Sequence, residues 1–191
     1  MAITRLNSGS SFTSLIKSDS FLAANAPFIP GAYESIQTIT LSSNTQTVTF
    51  SSIPSTYKHL QLRTLTQQES NSTIQLNSDT SAGNYNTHYL EAYNSGISNG
   101  VINYSGIFTY GGVSATTSIF SGGIIDILDY ASPNKFTTTR SIVGQNRNGT
   151  GILNYCSGVW LNTAAVTSVS SYVVGGDFKA GSRFALYGIK G

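Results

Sequence analysis

Few side chains in this sequence could do chemistry: two histidines, one cysteine and eight carboxylates among 191 residues. His59 and His88 stand 29 positions apart. Neither has a metal-ligand spacing with a Cys, Asp or Glu pair. Both read as strand histidines with ordinary hydrogen bonds. The stretch opening at Asn77 alternates oxygen donors through Asp79 and Ser81 in the manner of a calcium loop. Its sixth position is Ala82 and its twelfth His88, where such a loop needs a glycine for its sharp turn and a bidentate glutamate. Calcium is therefore not expected. Glycoside hydrolysis takes two carboxylates facing each other across the scissile bond, and Glu69, Asp79, Glu91, Asp126 and Asp129 are the candidates. Asp126 and Asp129, three residues apart on one strand, point to opposite faces. No nucleophile elbow, dinucleotide fingerprint or phosphate loop is present. The expectation is a chain without catalytic residues, metal or cofactor.

Aromatic side chains are the other resource. Tyr85, Tyr89, Tyr93, Tyr104 and Tyr110 crowd the middle of the chain, and tyrosine can stack on a sugar ring or anchor a protein interface. The competing reading is that they pack the faces of a β-sandwich.

The elements that would position these groups are strands. Ile124 to Val143 is the clearest hairpin: Ile124, Ile125, Ile127 and Leu128 are apolar on both alternating faces, as in a strand covered on each side. Asp129, Ser132, Pro133 and Asn134 supply turn chemistry, and the β-branched run from Thr137 to Val143 returns. Strand signals recur at short intervals from Tyr33 onward: Ile39 to Leu41, Val48 to Phe50, Leu60 to Leu62, Ile74 to Leu76, Asn86 to Tyr93 and Ile102 to Tyr110. Beyond the hairpin lie Leu153 to Leu161, Val166 to Val174 and Arg183 to Ile189. About eleven strands without a long helix predict an all-β fold, a sandwich or a barrel. Leu153 and Tyr155 share one face of their strand while Cys156 and Trp160 share the other, so both faces are expected to meet protein.

Residues 1–34 differ. Phe12, Leu15, Ile16, Phe21 and Leu22 sit amid Ser and Gly without strand alternation, and Pro27, Pro30 and Gly31 interrupt any regular element. This predicts an N-terminal arm, a docking segment for a neighbouring subunit or a tail on its own domain, followed by a β-domain over 35–191.

Charged residues make up only 9%, against roughly 25% in ordinary soluble domains. The net charge of +2 is scattered rather than striped, which gives nucleic-acid binding no electrostatic support. No apolar run approaches the roughly 20 residues of a membrane helix, and no secretory leader opens the sequence. Synthesis as a soluble chain in the cytoplasm is expected. Cys156 has no partner for an intrachain disulfide and reads as a small buried hydrophobe.

Four segments together carry a resemblance: PGAYESI at 30–36, FSSIPSTYKHLQLR at 50–63, IIDILDYASPNK at 124–135 and SRFALYGIKG at 182–191. The chain from Pro30 onward resembles small virion structural proteins of tailed bacteriophages, of the marine cyanophage type, often described as tail-fibre-like. These segments are strand and turn signatures with no active site to transfer. The resemblance implies a virion protein folded as a single antiparallel β-sandwich of jelly-roll type and present in several copies, a trimer by analogy. The asymmetry of arm and domain, the low charge and the absent catalytic motifs add the expectation of a non-enzymatic protein anchored by its arm to capsid, neck or tail proteins. The alternative is a carbohydrate-binding adhesin recognising host surface glycan through Tyr85, Tyr89 and Tyr93.

Overall fold

A computed structural model describes residues 32–109 and 118–191. Most of the expected arm, with Phe12, Leu15, Ile16, Phe21 and Leu22, lies outside the described residues. The rest forms twelve strands and one turn of 3₁₀ helix, Ala82–Asn84. In chain order the strands are β1 (Tyr33–Thr40), β2 (Thr47–Phe50), β3 (His59–Thr66), β4 (Ser72–Leu76), β5 (Tyr85–Tyr93) and β6 (Gly96–Ile102). They continue as β7 (Ile107–Phe108), β8 (Ser121–Leu128), β9 (Thr137–Asn146), β10 (Gly151–Trp160), β11 (Val169–Val173) and β12 (Arg183–Ile189).

Two antiparallel sheets pack as a β-sandwich. The larger has eight strands in the order β1-β12-β3-β8-β9-β10-β5-β6, the smaller four in the order β2-β11-β4-β7. The chain changes sheet at every connection except those within the runs β5–β6 and β8–β9–β10. Two hairpins, β5–β6 and β9–β10, widen the large sheet beyond the strands that alternate with the small one.

Between the layers, Leu60, Leu62, Ile125, Ile127, Phe184 and Leu186 of the large sheet meet Val48, Phe50, Ile74, Leu76, Val169 and Val173 of the small one, all buried. Each apolar side chain of this size contributes about 1.5–3 kcal/mol when fully buried, and strand alternation delivers every second residue to this layer. The layers approach most closely where β7 crosses β10: a Cβ built on Gly158 would lie 2.3 Å from the Ile107 Cγ2, so only glycine admits the contact.

The expected hairpin is present, with β8 and β9 in register from Gly122 opposite Gly144 to Leu128 opposite Thr138. Asp129 opens its turn with φ of 47°, a left-handed conformation that Asp tolerates better than bulkier residues. The next residue, Tyr130, is fully buried and its hydroxyl donates to the Pro54 carbonyl. One sequence-based expectation needs revision. Ile102 to Tyr110 is not one strand: β6 ends at Ile102, residues 103–106 turn across the sandwich, and β7 begins at Ile107 in the other sheet. The GISNGVI of β6 lacks apolar alternation because it is an exposed edge.

Candidate protein interface

Each strand of the large sheet has an inner side facing the small sheet and an outer side facing away. On β8 the inner Ile125 is 2% exposed while its neighbour Ile124 is 41% exposed. The sequence pattern predicts cover on both sides of β8, and the described residues cover only one.

Register assembles the outer side into rows. One row runs Arg63, Ile124, Ile142, Tyr155 and Leu90 across β3, β8, β9, β10 and β5. The next runs Leu65, Gly122, Gly144, Leu153, Ala92 and Ile97. Every large apolar side chain in these two rows is exposed, Ile97 by 79%. Monomeric proteins seldom expose an apolar patch beyond a few hundred Å², and larger ones mark contact surfaces. Between the rows lies a shallow trough of about 500 Å³ lined by Gly122, Gly123, Gly144, Ile124, Ile142 and Leu153 among others. The trough is not dictated by the chain's own packing at Gly122, where a Cβ would meet nothing within 4 Å.

The expectation that Leu153 and Tyr155 meet protein is thus not met among the described residues: both are half exposed, while Cys156 and Trp160 on the other side are buried. Burial pushes the Cys156 thiol up to about 11, which removes thiolate reactivity at neutral pH.

A third row borders the apolar ones: Gln61, Asp126, Arg140, Ser157, His88 and Val101. The Gln61 Nε2 donates to Asp126 Oδ1 at 2.8 Å, and Arg63 Nε donates to Gln61 Oε1 at 2.8 Å. The Arg63 guanidinium also lies over the rings of Tyr187 (5.2 Å) and Tyr33 (5.7 Å), within cation–π range. These contacts fix the β3–β8 end of the polar row before any partner arrives, which lowers the ordering cost of binding there. An apolar centre with a polar rim is the anatomy of a protein interface.

The other sequence candidates fall elsewhere. Asp126 belongs to this polar row and Asp129 to the hairpin turn, so the two form no acid pair. Asp129 pairs with Lys135 and with Lys58 at 3.0 Å. Hydrogen bonds from Lys135 and Lys58 hold its carboxyl down at about 2. His59 Nδ1 accepts the Asp129 backbone N–H at 2.9 Å. Asp79 is a structural knot: its Oδ2 accepts from Trp160 Nε1 and Asn84 Nδ2, both at 2.8 Å, and its Oδ1 accepts from the Ser81 N–H at 2.9 Å. Burial pushes this carboxyl upward, but the three hydrogen bonds outweigh it and hold the group below its usual range. With those oxygens engaged, the calcium-like spacing serves to pin Trp160. Among the described residues no group of three or more His, Cys, Asp or Glu could hold a metal ion. A concavity of about 860 Å³ at the β9–β10 turn is lined by Asn, Gln, Gly, Ser, Thr and apolar residues without a titratable side chain.

The three tyrosines separate. Tyr85 is 1% exposed, stacks on Trp160 with centroids 6.5 Å apart, and donates to the Asp79 carbonyl at 3.0 Å. It offers no face to a sugar, and burial raises its hydroxyl to about 12. Tyr89 is half-buried over Gly100, and Tyr93 is exposed. The rows of the outer face escaped the reading of single strands, although the two-sided apolar pattern of β8 was their signal. No protein-family model matches this chain, and no curated protein or solved structure is detectably similar to it.

Proposed function

We propose that the protein is a non-enzymatic structural component of a tailed-phage virion. In this reading an N-terminal arm anchors it to capsid, neck or tail proteins, and the sandwich associates through the outer face of its large sheet. The observation that carries this reading is the exposed apolar face with a preordered polar border, set beside carboxylates that serve as structural knots. The order β1-β12-β3-β8 over β2-β11-β4-β7, with crossings between sheets, supports a jelly-roll core enlarged by two hairpins. The resemblance of four segments supplies the virion context.

Incorporation into particles tests it. Deleting residues 1–30 removes the anchor and is expected to abolish incorporation. Substituting Ile124→Asp places a charge in the apolar face and is expected to reduce incorporation of a still-folded chain. Undiminished incorporation of both variants would refute the reading, and density for the chain in an intact particle would locate it.

A glycan-binding adhesin is the second reading, favoured by one observation: Tyr89 and Tyr93 share a side of β5, and Tyr93 is exposed. A glycan array decides it. Binding that Tyr93→Ala abolishes supports this reading, and a wild-type chain that binds no glycan removes it.

A further inference from the structure

From the pattern of the outer face we infer that its occupant is the same face of a second copy, related by a two-fold axis that runs between β8 and β9 parallel to the strands. This rests on the reading of that face as a protein interface and names its partner.

Position in the sheet is the first argument. β8 and β9 are the fourth and fifth of eight strands, so an axis between them bisects the sheet and lays all eight strands of one copy over all eight of the other. Such a contact is isologous, with one patch complementary to itself. Eight strands spaced by roughly 4.8 Å span about 34 Å, and seven or eight residues of strand cover about 25 Å. The overlap is about 850 Å² per copy, close to the roughly 800 Å² per partner of a stable interface.

Complementarity is the second argument. The rotation sets β8 against β9 of the second copy at the same level. Ile124 then meets Ile142 of the second copy, and the open trough at Gly122 meets the glycine at 144. Asp126 faces Arg140 of the second copy, and Arg140 faces Asp126 of the second copy. Arg140 has no ion-pair partner among the described residues, so this pairing supplies one twice. One strand further out, β3 lies against β10 of the second copy, which sets Leu65 over Leu153. Sheet twist tilts the strands progressively away from the axis, so these pairings hold near the axis and loosen toward the sheet edges.

The axis predicts which residues approach across the contact. Full-length chains carrying Leu65→Cys are mixed with chains carrying Leu153→Cys and treated with a short thiol-to-thiol crosslinker. Covalent dimers are expected from the mixture and not from either chain alone, because equivalent Leu65 positions sit on opposite sides of the axis. Sedimentation of the wild type is expected to give a dimer. Asp126→Arg and Arg140→Asp, each expected to weaken dimerisation about ten-fold or more, are expected to restore most of it when combined. Gly122→Val, which suits a strand and whose Cβ meets nothing within 4 Å, is expected to stay folded and block the pairing. A monomeric wild type, a trimer mass, or equal crosslinking of Leu65→Cys chains alone overturns the two-fold. If the wild type is monomeric while Ile124→Asp still lowers incorporation into particles, the pairing falls and the interface reading stands.

Discussion

Ile124 and Ile125 are adjacent in the same strand and carry the same side chain, yet one is exposed and the other buried. The inner face of the large sheet meets a second layer made by the same chain. Its outer face is nearly as apolar through Ile124, Ile142, Leu153 and Tyr155, and the described residues leave it open. Hydrophobicity alone therefore does not say which face is the core. The small sheet has four strands and lies on one side, so it can satisfy only half of what β8 asks for. The comparison separates stability from association: the inner face holds the fold, and the outer face is available to a partner.

Substitutions on the two faces should behave differently, and the widest gap is expected deep inside. Leu62→Ala removes a fully buried side chain and is expected to cost about 2–5 kcal/mol, measured by chemical denaturation and independent of protein concentration. An outer substitution with a comparable effect at micromolar or lower concentration would break the distinction between the faces.

At the rim of the inner face, Asp79→Ala strands the Trp160 indole N–H and two further donors. A loss of about 1–3 kcal/mol is expected, with a red shift in the fluorescence of the single tryptophan as water reaches it.

The third test is pH. Hydrogen bonds from Lys135 and Lys58 hold the folded carboxyl of Asp129 at about 2, below its ordinary 3.8. Its stabilising contribution is fully present above about pH 4 and is lost as pH falls toward 2. Asp129→Asn is expected to flatten that part of the stability profile while leaving a residual slope from Asp79, whose carboxyl is also held low. An unchanged acid limb would show that the lysine pairs contribute nothing.

The smallest effect is expected outside. Ile142→Thr is expected to change stability by no more than about 0.5 kcal/mol in dilute solution, with a larger loss appearing only as concentration rises and copies associate. Measuring the midpoint at several concentrations checks this.

The hairpin at 124–143 was readable because its signals are local: alternating apolar residues, a proline-bearing polar turn and a β-branched return. The end of β6 was not, since GISNGVI has no apolar alternation and reads as loop until the ladder with β5 is seen. The tyrosines show the same limit. Tyr85 and Tyr93 project from the same side of β5, eight residues apart, and nothing near either one distinguishes them. Tyr85 lies beside Trp160 under the small sheet, and Tyr93 lies beyond its reach.

The sequence by itself determined that the chain is a sandwich of short antiparallel strands and that β8 would seek cover on both sides. Period-two alternation and turn chemistry act within a few residues and need no knowledge of the rest of the fold. Tertiary structure alone decided that β3, β8, β9, β10 and β5 lie side by side, and so that Leu65, Ile124, Ile142, Tyr155 and Leu90 form one surface. Pairing joins segments as distant in sequence as Tyr85 and Trp160, and a slip of one residue would turn every side chain of a strand to the other face. Which face is core and which is left for a partner is therefore a property of the register, and the register is set by long-range packing.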